Sequence, residues 1–316
     1  MKNKIVFTGL LFLSLLISPS FGGLLYFSDH PERVTSRGLL FSGGLSVTFP
    51  VRFYFYHQGS KALPDLNLVL QIYNPEFNRP ALIKMLKVVP PASVDAFASG
   101  HNAGKEFLEK YLTQIPQIIT VNPGETCTVW QGDLPPDWVV NGIIDFKIVS
   151  GGPVFINLFS LDHSRQSPGF YLLSNAADTH ARGVYPNTDI NIERIFNLDQ
   201  GEQEIFIGKE IQDNLLSGRD LKGAYGIIYN LKLKLRNPQK KAGKVKFFFQ
   251  PRGGAAAMVF HFRGRTWELK PQQAYSQTWL FSVKLRGGET KELELYTLPE
   301  GASNYPVKIL LQTSWR

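Results

Sequence analysis

Val51-Arg52-Phe53-Tyr54-Phe55-Tyr56-His57 sorts its side chains with a period of two: Phe53 and Phe55 point one way, Arg52, Tyr54 and Tyr56 the other. Only an extended strand sends neighbouring residues to opposite faces like this. The Phe face reads as core. The Arg/Tyr face has two readings, an open platform on which sugar rings stack, because amphipathic aromatics suit half-wet surfaces, or a surface packed against a second domain.

Working outward from this strand, the same alternation returns at 66–73, 118–121, 143–149, 154–161, 204–207, 226–236, 245–250, 258–263, 275–285, 291–297 and 307–312, each run bounded by Gly, Pro, Asn or Asp. These are the marks of strands and their turns. One stretch breaks the pattern. Phe107, Leu108, Tyr111 and Leu112 form a stripe at helical spacing, which predicts a helix near 103–113. The fold class expected is all-β, with two tandem β-sandwich domains, immunoglobulin-like or jelly-roll-like, and one short helical insertion in the first.

The length of 316 residues suits two such domains. A recurrence supports the division. Asn74-Pro75 precedes Gly124-Glu125-Thr126 at nearly the spacing by which Asn237-Pro238 precedes Gly288-Glu289-Thr290, and each unit closes on a Pro-Val strand, at Pro153 and Pro306. The expected bounds are 23–172 for the first domain, 173–185 for a linker and 186–316 for the second, the linker lying in a stretch rich in Ser, Asn, Asp, Pro and Gly. A second loop is expected at 212–222, and the small residues of 251–257 read as a wide hairpin.

Residues 1–22 read as a secretory signal peptide. Lys2 and Lys4 precede an unbroken apolar run at 5–17, then Ser18-Pro19-Ser20 and Phe21-Gly22, with Ser20 and Gly22 supplying small residues before a cut. The run is shorter than the about 20 residues a bilayer core requires, so no transmembrane segment is expected once the leader is removed. The expected location is therefore the cell envelope or the medium. Formal charge is +8, from 34 basic and 26 acidic residues, and two of the basic ones leave with the leader. The excess is spread along the chain and reads as solubility, with no nucleic-acid partner. Cys127 is the only cysteine, so no internal disulfide forms. It alternates with Thr126 and Thr128 as a small apolar group would, with no basic neighbour to activate it.

Motifs for catalysis are missing. The chain has no Gly-x-Ser-x-Gly, no His-Glu-x-x-His, no phosphate-cradling glycine loop and no paired cysteines. No cofactor is expected. His30, His163 and His180 each stand near an aspartate, Asp29, Asp162 and Asp178, but scattered turn residues explain them better than a metal site. Binding candidates are Arg52, Tyr54 and Tyr56, then Trp138 in the loop after Pro135-Pro136. The polar segment 179–187 adds His180, Arg182, Tyr185 and Asn187, able to recognise an anion or a sugar. Tyr275, Trp279 and Phe281 read as sharing one strand face, with Trp267 near. The function expected is non-catalytic binding or scaffolding, with an envelope glycan or a surface protein as partner. The alternatives are a carbohydrate-active enzyme with dispersed carboxylates and a structural subunit of a surface assembly.

Overall fold

The computed structural model describes residues 22–113, 116–162 and 171–315; the predicted leader, apart from Gly22, and His163 lie outside them. The chain is mostly strand, arranged as four sheets in two sandwich-like halves, with one α-helix in the first half.

The first half runs through β1 (Leu24–Ser28), β2 (Gly38–Leu45), β3 (Val51–Gln58), β4 (Leu66–Tyr73), β5 (Ala81–Val88), α1 (Ala96–Thr113), β6 (Gln117–Val121), β7 (Thr126–Asp133), β8 (Val139–Ser150) and β9 (Val154–Asp162). The strand β10 (Arg182–Tyr185) follows, and the second half is β11 (Asp189–Asn197), β12 (Glu202–Ile207), β13 (Ile228–Arg236), β14 (Gly243–Pro251), β15 (Ala256–Phe262), β16 (Arg265–Gln272), β17 (Thr278–Leu285), β18 (Thr290–Thr297) and β19 (Val307–Trp315). Sheet A has the order β10-β1-β3-β8-β5-β6 and sheet B the order β2-β9-β4-β7. Sheets C and D are β11-β13-β18-β15-β16 and β12-β19-β14-β17.

These orders make β1 to β9 correspond one for one with β11 to β19, down to the parallel pairings of β1 with β3 and of β11 with β13. The halves are topological repeats. Two features break the likeness. The segment expected as linker supplies β10, which pairs antiparallel with β1 on the edge of sheet A. The helix stands between β5 and β6, where the second half has only the turn Arg263-Gly264, both residues at positive φ as a tight hairpin demands.

The Asn-Pro recurrence marks something else. Asn74 sits at the β4–β5 corner and Asn237 at the β13–β14 corner, which are not equivalent in the repeat. Both do the same local work. Asn74 Nδ2 donates to the carbonyls of Arg79 and Val121 (2.9 and 3.0 Å) while its Oδ1 accepts from the Glu76 amide. Asn237 repeats this with Lys241, Arg286 and Gln239. In each case the chain crosses from one sheet to the other beside the turn that carries Gly-Glu-Thr, with Gly124 and Gly288 at φ 70° and 72°. Chemistry common to sheet-crossing corners explains the shared motif, and the register of the duplication does not.

Helix α1 begins two turns before the stripe predicted at 103–113. Asp95 Oδ1 accepts from the Ala98 amide at its start as an N-cap does, and the added turns bury Ser99 and Gly100, with Ala103 and Gly104 following on the same side. Such small residues give no hydrophobic signal, yet they let the helix press on the second half: a Cβ on Gly100 would land on the Gly301 carbonyl. The helix packs on β5 and β8 of sheet A and on β15 and β16 of sheet C. One core, with Phe53, Phe55 and Leu70, fills the first sandwich. The larger core fills the second and continues between the halves, joining Phe27, Tyr54, Leu86 and Phe107 to Leu231 and Phe249. Strands β1 and β3 of sheet A are therefore buried on both faces.

Candidate functional site

Arg52, Tyr54 and Tyr56 lie in the contact between the halves. Arg52 and Tyr54 are each 1% exposed and Tyr56 8%, so this face offers no open platform. Arg52 grips Asp145 with two bonds, Nε to Oδ1 at 2.7 Å and Nη2 to Oδ2 at 3.0 Å. Its Nη1 donates to the carbonyls of Thr188 and Gly226 and faces Asp189 at 3.8 Å. Phe107 and Tyr111 of α1 lie against the guanidinium, 4.8 and 5.4 Å from their ring centres. Burial works against its charge, but Asp145 and Asp189 outweigh burial and raise its pKa. Strand, helix and second half meet on this one side chain. Tyr54 stacks on Phe27 at 4.9 Å and presses on the backbone of Gly226, where a Cβ would stand 2.7 Å from its ring.

A second junction forms where α1 meets the β18–β19 loop. His101 Nδ1 is 2.8 Å from Glu300 and Nε2 is 3.1 Å from Glu268, which also holds Lys105. Burial opposes the imidazolium, yet Glu300 and then Glu268 raise its pKa; burial in turn raises that of Glu300.

The segment 171–188 docks on the β1–β2 loop. His180 bridges Asp178 (2.6 Å) and Glu32 (2.9 Å), and Glu32 foremost, with help from Asp29 and Asp178, pushes its pKa up to about 9. Burial would lift Asp178, but the amides of His180 and Glu32 hold it low. Burial, against the pull of His180, raises Asp29 well above the usual carboxylate range. His30 Nδ1 stands 3.9 Å from Asp178. Arg182 Nη1 donates to the carbonyls of His30, Leu40 and Leu173, so this guanidinium ties the β1–β2 loop, strand β2 and the docked segment together. Tyr185 is fully buried with its hydroxyl donating to Arg219 O, and Asn187 donates to Gln212. Among the described residues no set of three His, Cys, Asp or Glu side chains is placed to hold a metal ion.

Trp138 is 38% exposed and lines a groove of about 410 Å³ with Pro90, Trp130, Gln131 and Asp133. Its amide donates to Pro135 O at 3.1 Å and its carbonyl accepts from the Gly59 amide at 2.9 Å, so the ring projects from a fixed loop. Trp130 is fixed differently: it rests against Phe55 at 5.4 Å and lies over Gly132, where a Cβ would come 2.7 Å from the ring. The groove is concave, with aromatic walls and polar groups beside them, the general composition of small-ligand sites.

The strand face expected to join Trp279 and Phe281 does not exist. The pairing of β14 with β17 slips by one residue, Phe247 facing Phe281 but Phe248 facing Trp279. That bulge at Leu280 turns the two rings to opposite sides. Phe281 points into the core and stacks on Phe247 and Phe262 at 4.4 Å. Trp279, 58% exposed, joins Phe248 and Leu310 in a row on the outer face of sheet D, beside the ion pair Lys308–Glu204. Trp267 stands on β16, stacked on Phe260, and Tyr275 lies in a turn beneath the Arg252 guanidinium. Cys127 is part-buried against the first core.

No protein-family model and no curated protein matches the chain. Among solved structures it is similar to Lac15 from a marine microbial metagenome, with 10% identity over 92% of this chain and 62% of that one and a TM-score of 0.16. It thus spans about three fifths of the length of Lac15. It is similar also to the tandem CBM22-1–CBM22-2 domain of Paenibacillus barcinonensis Xyn10C, with 10% identity, 90% and 92% coverage and a TM-score of 0.14. For a multicopper oxidase from Campylobacter jejuni the identity is 13%, the coverage 79% and 48%, and the TM-score 0.13. Likeness at this level carries no argument about activity.

Proposed function

We propose that the chain is an exported, non-catalytic binding protein of the cell envelope or extracellular space, with a glycan as ligand, and that the Trp130–Trp138 groove receives it. The observation that carries this reading is the pairing of two tryptophans in one groove, Trp130 with its ring packed on Phe55 and over Gly132, and Trp138 on a loop whose backbone is held by two bonds. A ring fixed in advance, as that of Trp130 is, loses little entropy on binding, and a sugar's C–H face suits an indole. Gln131 supplies an amide at the rim. Among the described residues, three carboxylate pairs brought together by the fold are each bridged by a base: Asp145 and Asp189 by Arg52, Glu268 and Glu300 by His101, and Asp178 and Glu32 by His180. That favours structural roles for them over a paired acid and base. Export rests on the leader at 1–22. No helix among the described residues is long and apolar enough to cross a membrane.

The test is retention of residues 23–316 on envelope glycan at high salt, compared with Trp138→Ala and Trp279→Ala. Binding weakened tenfold or more by Trp138→Ala, equivalent to about 1.4 kcal/mol, is the result expected. Equal binding by wild type and Trp138→Ala removes the groove from the reading, and loss only in Trp279→Ala moves the site to sheet D. Terminal sequencing of the exported protein checks the leader, the expected first residue being Gly23.

A further inference from the structure

A groove of about 400 Å³ opens between the docked segment and the loop 212–221, lined among others by His30, His180, Arg182, Gly218 and Arg219, with Phe41 and Leu172 as its apolar part. The loop is held at its base by two reciprocal bonds between Gln212 and Leu221, 3.0 and 2.9 Å. Its middle is held by Asn214, which donates to the carbonyls of Arg182 and Arg219 and accepts from the amides of Val184 and Leu216. The Leu215 amide donates to Val184 O at 2.8 Å, fastening the loop to β10. Arg219 O also takes the Tyr185 hydroxyl. The carbonyl of Arg219 is thus held by two donors while its side chain is exposed. Among the described residues no carboxylate lies within ion-pair distance of the Arg219 guanidinium. Arginine is the side chain best suited to grip a planar or tetrahedral oxyanion.

We infer that this groove is an oxyanion-binding site, taking a carboxylate or phosphate group of a ligand between Arg219 and Arg182. Arg182 contributes its charge from the wall, its Nη1 being committed to three carbonyls, and Arg219 contributes the free fork. His30 reports the local field: burial lowers its pKa, and the charges of Arg182, Arg219 and His180 lower it further against the pull of Asp178. Arg182 and Arg219 both line the groove, while His180 beside them is already paired with Asp178 and Glu32. The inference goes beyond glycan stacking and needs neither Trp130 nor Trp138.

The probes are inorganic phosphate, galacturonate and uncharged galactose, added to the full chain and to Arg219→Gln and Trp138→Ala while the arginine Nε and backbone amide resonances are followed by NMR. Phosphate, galacturonate or both should shift Gly218, Arg219 and Arg182, galactose should not, and Arg219→Gln should weaken the anion at least tenfold while Trp138→Ala leaves it unchanged. A response to phosphate alone assigns a phosphate ester, and to galacturonate alone a uronate. No shift with either anion, or equal affinity in Arg219→Gln, overturns the inference. Arg219 is exposed, and among the described residues its side chain pairs with no other, so that variant tests the site rather than the fold.

Discussion

His57 makes the stability of the chain fall in mild acid. The ring is wholly buried, with Nδ1 2.9 Å from the Pro31 carbonyl and Nε2 3.0 Å from the Ser28 hydroxyl. A carbonyl only accepts, so Nδ1 carries the proton, and Nε2 accepts from Ser28. A second proton has no good place, and burial, reinforced by the Arg182 charge, brings the pKa down to about 4 although the Pro31 carbonyl favours the cation. Above the unfolded value of about 6.5 neither state is protonated and nothing is lost. As pH falls, the unfolded chain takes up a proton that the folded one refuses until about 4, so stability drains away across that window and is fully lost below it. Between pH 7 and 4.5 this amounts to about 2 kcal/mol. His57→Asn keeps a donor for Pro31 without the titration. Urea unfolding of both proteins at the two pH values should give a smaller acid loss in the variant by that amount, although it starts less stable at pH 7. Parallel pH dependences, or a His57 ring resonance titrating above pH 6, would refute the reasoning.

Arg52→Met should cost about 3 kcal/mol in urea unfolding, because the part-buried Asp145 loses two charged bonds and the carbonyls of Thr188 and Gly226 lose their donor. Asn74→Ala and Asn237→Ala each remove three side-chain bonds at buried corners and should each cost about 2–3 kcal/mol, adding in the double variant because the corners lie in different halves. Gly100→Ala should lower the melting temperature despite a helix-propensity gain of about 1 kcal/mol, since the new methyl meets the Gly301 backbone. A rise in melting temperature would show that the helix can draw back from the second half.

Strand positions were legible because alternation is a local property: 66–73 coincides with β4, and 51–57 falls one residue short of β3. Several of the strands that escaped lack a clean pattern. β2 is rich in glycine, β11 carries exposed charge, β16 contains Pro271, and β1 is apolar almost throughout. Periodicity showed that Arg52, Tyr54 and Tyr56 share a face, but it carries no information about what lies across from that face. Both readings of the face were therefore open until the second half was seen against it. Trp279 shows a different limit. One extra residue at Leu280 reverses parity, and the sequence around it contains no glycine or proline to announce the bulge. The groove at Arg219 escaped because 212–222 reads only as a polar loop, and the side chains that fix it, Asn214 and Tyr185, come from separate segments.

The core that runs on between the halves changes what it would mean to divide the molecule. Cutting the backbone within 173–181, before β10, would sever only the connection. Fragments ending and beginning there would still share Arg52 with Asp189, Tyr54 with Gly226, α1 with Gly301 and β1 with β10. They should assemble as a complementing pair, whereas either fragment alone would present a large apolar face to water. The halves repeat one topology, but each is the cover for an apolar face of the other.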